Sequence, residues 1–495
     1  MIVHADGGRV IGKASPMLFG HFIEHFHRQI YGGIFDPGSP LSDEKGFRRD
    51  VLEALRKIHV PILRWPGGCF VSSYHWLDSV GKERTPFFDK SWRVEDPGTF
   101  GTDEFVEFCR ELGCEPYICT NAGTGTIEEM SDWLEYCNLP QEGKYARMRM
   151  ANGHKDPFGV KYWSIGNENY GSWELGAKTA EEWGNLTREA AKLMKHVDPS
   201  VELSAAALSD VEWNVSLLKN TGAFLDWISI HGYWDMIHQT NDLASYEMCM
   251  GYTMDLDLPV RQVSGLLCAM NLSHIRIAFD EWNLRGWYHP NVHTVKQGLT
   301  KEDYLYPRDD NDRNSSYTMA DAVFSACFLN MVLRHCDKVG MANFAPMVNT
   351  RGCVYACPEG IVLRSTYFVF EMYTNLLGDV VLDAWQEGEE LGAFPTRDGK
   401  GTEVPLLDIL VTKYSDREGV AVSCVNKDPA EKKELTLQLD FEGELTMHVL
   451  NGPDKDSYND VGRTEVGVRV LPSRPYKRGD KVKLAPHSVS VLVIR

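Results

Sequence analysis

KYWSIGNE, residues 161–168, decides the fold. A short apolar run, 161–167, has the length and character of a buried strand. It ends on Gly166, Asn167 and Glu168, and an amphipathic stretch opens soon after at Thr179. Strand, polar tip and helix make one βα unit. Outward from it the unit recurs. Strand candidates lie at 18–23, 61–65, 115–121, 161–167, 202–207, 227–231, 275–281 and 339–346. Between them run helices. In 47–58, Phe47, Val51, Leu52, Leu55 and Ile58 share one face at a 3.6-residue period. A second helix is predicted over 102–112, with Thr102 and Asp103 as caps and Gly113 as its stop, and a third over 179–196. Eight such units predict an α/β chain with a (β/α)8 TIM barrel over residues 14–378. After about Asp379 the period changes to two. Alternation in 406–413, 419–426, 434–439, 445–450 and 488–494 predicts an all-β sandwich, jelly-roll-like, over 379–495. Residues 1–13 are too few to fold alone and are expected to complete it. The long polar stretch 290–316 follows the seventh strand and is expected to act as a lid or a subunit contact.

The bulk numbers exclude several classes. The 495 residues carry a formal charge of −19 and no basic stripe, which argues against nucleic acid as a partner. No apolar run approaches the roughly 20 residues of a membrane span. The opening MIVHADGGRVIGKASP lacks the charged and apolar regions of a secretory signal, so a cytoplasmic location is expected. The twelve Cys fit reduced thiols there. None forms a C-x2-C pair, so neither a structural metal nor a cofactor is expected.

In a barrel of this kind chemistry sits at the C-terminal ends of the strands. Those ends here carry Glu24, Arg64 with Cys69, Asn121, Asn167 with Glu168, His231 with Tyr233, and Asp280 with Glu281. Glu168 and Glu281 stand out. Cleaving a glycosidic bond takes two carboxylates, one protonating the leaving oxygen and one attacking or activating water. A lone Glu at a strand end more often pairs with an Arg or caps a helix. Two on such strands, one preceded by Asn and one followed by Trp, point to catalysis, with Glu168 as acid/base and Glu281 as nucleophile. Asn167 is expected at the sugar 2-hydroxyl and Tyr233 at the nucleophile. Arg64 and Glu24 are expected to form a charged network under the sugar, with a structural ion pair as the competing account. Gly67 and Gly68 permit a tight turn against the ligand. Cys69 reads as pocket wall rather than nucleophile. Strand alternation turns Asp280 to the opposite face from Glu281. The charge of Glu281 is expected to raise the pKa of Glu168 and keep it protonated.

At these motifs the chain resembles the glycoside hydrolase family 51 α-L-arabinofuranosidases. The stretches that carry the resemblance are GHFIEHFHRQIYGGI, RWPGGCFVSSYHW, YWSIGNENYGSWELGAKT, ISIHGYW, IAFDEWN and, near the end, LAPHSVSVLVIR. They run in order over nearly the whole chain. The resemblance implies a retaining hydrolase that removes terminal α-L-arabinofuranosyl residues from small arabinose-containing oligosaccharides. It implies Glu168 and Glu281 as the catalytic pair. Glu24, Arg64, Cys69, Asn121, Asn167, His231, Tyr233 and Trp287 are then the expected substrate-binding residues. It also implies no metal and a homo-oligomer, often a hexamer.

Three stretches depart from the family pattern. Pro346 stands where family members commonly carry a sugar-reaching Gln, so either Asn349 or Arg351 is expected to take over that position or the enzyme is expected to tolerate sugars that differ at the hydroxyl concerned. Leu284, Arg285 and Gly286 precede Trp287, an insertion of two residues. The loop HWLDSVGKERTP lacks the common DGIGP form. These leave room for β-xylosidase, galactofuranosidase or endo-glucanase specificity. A non-catalytic carbohydrate-binding barrel is a more distant reading, since such a protein usually loses one of the two carboxylates.

Overall fold

The computed structural model describes residues 1–237, 243–287 and 312–495. Eight parallel strands form the central sheet: β1 Gly20–Phe22, β2 Ile62–Trp65, β3 Glu115–Thr120, β4 Tyr162–Ile165, β5 Glu202–Ala205, β6 Trp227–Ile237, β7 Arg276–Trp287 and β8 Val339–Phe344. Their spatial order is β6-β7-β8-β1-β2-β3-β4-β5, and a bridge between Ala206 and Ser229 closes the ring. This is the (β/α)8 barrel that the sequence predicts. Most central strand residues are buried, as expected when helices cover one face and packed side chains fill the other.

Local chemistry sets the element ends. Thr179 caps the helix Ala180–Val197 with a reciprocal box, Glu182 N–H to Thr179 Oγ1 at 3.3 Å and Thr179 N–H to Glu182 Oε2 at 2.8 Å. The helix Thr102–Leu112 is capped one residue earlier than expected. Gly101 is the cap, its N–H held by Glu104 Oε2 at 2.9 Å, and Thr102 and Asp103 lie inside the first turn.

Two strands outrun their predicted lengths. β6 and β7 stay paired from Trp227 opposite Arg276 to Ile237 opposite Trp287. The two extra residues after the nucleophile candidate are absorbed in this extension. Arg285 is buried there between Asp235 and Asp321, at 2.5 and 3.0 Å. The register also slips. β6 advances from Ser229 to His231 while β7 advances from Ala278 to Glu281, so β7 carries an extra residue.

Beyond the barrel, two sheets pack over a core that includes Val411, Val422, Leu437 and Leu492. One has the order Val10–Lys13, Val380–Leu382, Leu407–Lys413, Val420–Asn426, Ser488–Ile494, Glu444–Asn451, Gly467–Val470. The other runs Trp385–Glu387, Ile2–Ala5, Lys433–Leu439, Lys481–Leu484. The N-terminal residues thus give one strand to each sheet. All twelve cysteines are free thiols. Residues 290–311 of the expected lid or subunit contact lie outside the described residues. Among the described residues, no helix is long and apolar enough to cross a membrane.

Candidate active site

A cavity of about 450 Å³ opens at the C-terminal ends of the strands, with Glu168 and Glu281 on its wall. Two glycines shape its floor. Gly166 has φ +67°, and a Cβ there would meet Asn169 Oδ1 at 2.1 Å, so only glycine turns the chain off β4 at this point. Glu168 follows with φ +44°, an uncommon conformation for a non-glycine residue and one that gathers at functional sites. Gly67 has φ +146°, and a Cβ there would come within 2.2 Å of Glu24 Cγ. The RWPGG turn can therefore lie directly against Glu24.

Glu281 is fixed on both oxygens. Arg64 Nη1 donates to Oε2 at 2.8 Å and Tyr233 Oη donates to Oε1 at 2.5 Å. Arg64 is fully buried beneath the cavity, and its Nη2 donates to Asn167 Oδ1 at 2.8 Å. Glu168 receives Trp173 Nε1 at 2.9 Å and faces His231 Nδ1 at 2.8 Å. His231 stands between the carboxylates, with Nδ1 also 3.6 Å from Glu281 Oε2. An oxygen of Glu168 lies within 4.8 Å of one of Glu281.

Asp280 corrects the expectation from strand alternation. It points inward, accepting from Tyr117 Oη at 2.7 Å and Ser229 Oγ at 2.6 Å, with Arg64 Nε at 3.5 Å. The extra residue in β7 breaks the alternation, so consecutive carboxylates share one face. Burial opposes its charge, but Arg64 and His231 outweigh that and hold the Asp280 carboxyl down at about 2.

The expected state of Glu168 is also corrected. Burial raises its pKa, but the hydrogen bond and charge of His231, then Trp173 and Arg64, bring it below the ordinary value. Burial opposes charge on His231, yet Glu281, Asp280 and Glu168 lift its pKa to about 10. The two groups thus favour each other's charged form and share one proton across the 2.8 Å contact.

The other expected residues divide. Glu24, Cys69, Tyr233 and Trp287 line the cavity. Trp287 stands edge-on to Phe26 and His27 at the end of β7. Asn167 is buried below, its amide shared between Arg64 and Glu174. Asn121 does not reach the cavity. Its side chain ties a turn, accepting from the Gly123 and Thr124 N–H groups at 3.0 Å and donating to Tyr74 O at 2.9 Å. Asn349 is likewise spent on the backbone, donating to Arg28 O and accepting from Ala356 N–H. Arg351 does line the cavity.

Sequence reading missed Glu174 and Trp92. Glu174 accepts from Asn167 Nδ2 at 3.1 Å and bonds Ser72 Oγ at 2.7 Å. Burial and then the charge of Glu168 push its pKa up to about 8. Its signal was its place six residues after Glu168 in NENYGSWELG. Trp92, at the tip of the hairpin Phe87–Asp89 and Val94–Asp96, donates to Glu24 Oε1 at 2.9 Å. Burial, then Glu281, raises the pKa of Glu24 to about 7. By distance alone, Glu168, His231 and Glu281, or Cys69, Glu168 and Glu174, could hold a metal ion. Arg64 and Tyr233 already occupy the Glu281 oxygens, which argues against the first set.

A family model described as alpha-L-arabinofuranosidase 1 domain matches residues 54–250, and one described as alpha-L-arabinofuranosidase C-terminal domain matches 280–488. An intracellular exo-alpha-(1->5)-L-arabinofuranosidase of Halalkalibacterium halodurans is 34% identical over 455 residues, covering 89% of this chain and 87% of that protein. Alpha-L-arabinofuranosidase C of Emericella nidulans is 34% identical, with coverage of 94% and 92%. Among solved structures, an alpha-L-arabinofuranosidase from Thermotoga maritima in complex with arabinose superposes with a TM-score of 0.88 at 33% identity, over 99% of both chains. The GH51 alpha-L-arabinofuranosidase from Thermotoga petrophila gives 0.86 at 33% identity, over 100% of this chain and 99% of that one. Barrel, carboxylate pair and sequence agree: the chain belongs to glycoside hydrolase family 51, the family of these α-L-arabinofuranosidases.

Proposed function

We propose that this protein removes terminal α-L-arabinofuranosyl residues from arabinose-containing oligosaccharides by double displacement, with Glu281 as nucleophile and Glu168 as acid/base. The observation that carries the reading is that one oxygen of Glu168 lies within 4.8 Å of one of Glu281, with His231 in contact with both residues. Retaining enzymes keep the pair about 5–5.5 Å apart so that the nucleophile can touch the anomeric carbon. Inverting ones leave roughly 6.5–9.5 Å for a water.

The steps follow from the hydrogen bonds. Arg64 and Tyr233 hold the Glu281 carboxylate in one orientation. Glu281 attacks the anomeric carbon as the leaving oxygen takes a proton from Glu168. That proton is stored in the His231–Glu168 pair. Moving it across the 2.8 Å contact turns the ion pair into a neutral one with Glu168 as acid. Once Glu281 is bonded to sugar its charge is gone. Glu168, again a carboxylate, then takes a proton from the water that releases the sugar. Asn167 keeps one amide N–H bonded to Glu174, and its other N–H is the group we assign to the 2-hydroxyl.

A cavity of about 450 Å³ is of a size that suits one terminal furanose. We further propose that the enzyme works inside the cell as a homo-oligomer. A secreted native form, or a monomer by light scattering, contradicts that part. The test of activity is a panel of p-nitrophenyl α-L-arabinofuranoside, β-xyloside and β-galactofuranoside. The expected result is a kcat/KM highest on the arabinoside. Preference for either other sugar contradicts the assignment.

A further inference from the structure

Arg351 is a buried cation in the wall of the proposed sugar site, only 8% exposed. It lines the cavity with Glu24, Glu281 and Tyr233. A guanidinium taken out of water is normally matched by a carboxylate. Among the described residues Arg351 makes no ion pair. Its hydrogen bond is a long one, Nη2 to Tyr233 Oη at 3.4 Å, and its Nε is buried with no acceptor. The group also lies 5.1 Å from the centroid of the Tyr233 ring.

Two carboxylates act on Arg351 by charge without an ion pair, Glu281 first and then Glu24. Glu281 is already held on both oxygens, which leaves Glu24 as the candidate partner. Glu24 Oε1 is taken by Phe70 N–H at 3.1 Å and Trp92 Nε1 at 2.9 Å, while Oε2 accepts nothing from the described residues. Gly68 marks the space beside them. A Cβ built there would come 3.5 Å from Glu281 Oε2 and 3.6 Å from Glu24 Oε1. Among the described residues, a carboxylate oxygen without a donor and a guanidinium with a single long hydrogen bond thus face one cavity beside the reacting carboxylate.

We propose that Arg351 and Glu24 hold one hydroxyl of the bound sugar between them, Arg351 donating to its oxygen and the hydroxyl donating to Glu24, which makes Arg351 a specificity-determining residue. A hydroxyl is the neutral group that accepts from a guanidinium and donates to a carboxylate at once. A carboxylate on the substrate would satisfy Arg351 but face Glu24 and Glu281. An ether oxygen would leave Glu24 without a donor. Pro346 offers no side-chain donor at this strand end, and Arg351, on the same β8 loop, supplies one. The inference rests on reading the cavity as the site of the terminal sugar.

The test is a double-mutant series. Wild type, Arg351→Met and Glu24→Gln are assayed on p-nitrophenyl α-L-arabinofuranoside and its 2-, 3- and 5-deoxy analogues. The expected result is one hydroxyl whose removal lowers wild-type kcat/KM by about tenfold or more but costs little in either variant. A uniform loss on all four substrates overturns the proposal and leaves Arg351 as packing for Tyr233. If the Met variant does not fold by circular dichroism, Arg351→Lys, which keeps the buried cation, goes through the same series. A weakened dependence at one hydroxyl supports the proposal, and a uniform factor overturns it. Wild-type activity on the parent compound tests the reading of the cavity separately. If wild type prefers another glycoside, the deoxy series of that glycoside is used, so the two failures stay distinct.

Discussion

At the end of β7, Glu281 has a short hydrogen bond on each oxygen, from Arg64 at 2.8 Å and Tyr233 at 2.5 Å. At the end of β4, Glu168 sits on a turn of positive φ. Its partners there are a titratable imidazole at 2.8 Å, the indole of Trp173, which is 36% exposed, and the Tyr170 hydroxyl at 3.4 Å. The first arrangement fixes one ionised orientation. The second lets a proton move and a carboxyl adjust. The contrast matches the division of labour proposed for the two, since the nucleophile must present one ionised oxygen to the anomeric carbon while an acid/base must give a proton and then take one. His231 joins the two halves, and its proton is what the pair has to share.

The contrast can be broken at its strongest point first. Glu281→Ala should lower kcat on every substrate by about 10⁴-fold or more, because no second group can bond the anomeric carbon. Substantial turnover in steady-state assays would remove Glu281 from the role. Glu168→Ala should behave unevenly. Substrates with poor leaving groups should lose roughly 10²–10⁴-fold, while good leaving groups should still glycosylate the enzyme. Added azide should then yield a glycosyl azide of retained configuration, and an equal loss on all leaving groups would contradict the acid role. Tyr233→Phe removes one charge-assisted bond to Glu281 and should cost about 10–100-fold in kcat/KM with little change in melting temperature. An unchanged rate would mean that Arg64 alone orients the nucleophile.

The smallest effect concerns the acid/base side. Glu174 has a folded-state pKa of about 8, above the ordinary 4.5. The folded state therefore holds a proton that the unfolded chain releases. The resulting stability is full below about pH 4.5 and is lost as pH rises through about 8. Glu174→Gln keeps an acceptor for Asn167 and cannot ionise. It should match wild type near pH 4.5 and melt higher at pH 8–9, by roughly 2–4 °C. A melting difference that does not grow with pH would show that Glu174 is not a buried titrating group.

Much of this was legible from local sequence. A parallel barrel strand is a short apolar run, and its polar tip marks the catalytic face, so all eight strands and both carboxylates could be read from 161–168 outward. What failed to show depends on neighbours distant in sequence. Alternation turns Asp280 outward only in a regular strand, and the bulge that breaks it is visible only in the pairing of β7 with β6 and β8. Asn121 looked like a binding residue at a strand tip, but its amide is consumed by its own turn. Trp92 reaches Glu24 across 68 residues of chain, from a hairpin without a periodic signature. The charge of Glu281 taken alone predicts a raised pKa for Glu168, whereas the His231 imidazole at 2.8 Å, which no local pattern announces, lowers it. Arg351 lies in a buried turn after β8, where no sequence pattern distinguishes a cavity-lining arginine from a structural one.

The central claim is that Glu281 bonds the sugar directly while Glu168 handles the proton. Proton NMR of the first sugar released from an α-L-arabinofuranoside, recorded before mutarotation, tests it most directly. A retained α-anomer is the result expected from carboxylates within 4.8 Å of each other. A first-formed β-anomer would mean that water, not Glu281, attacks the anomeric carbon.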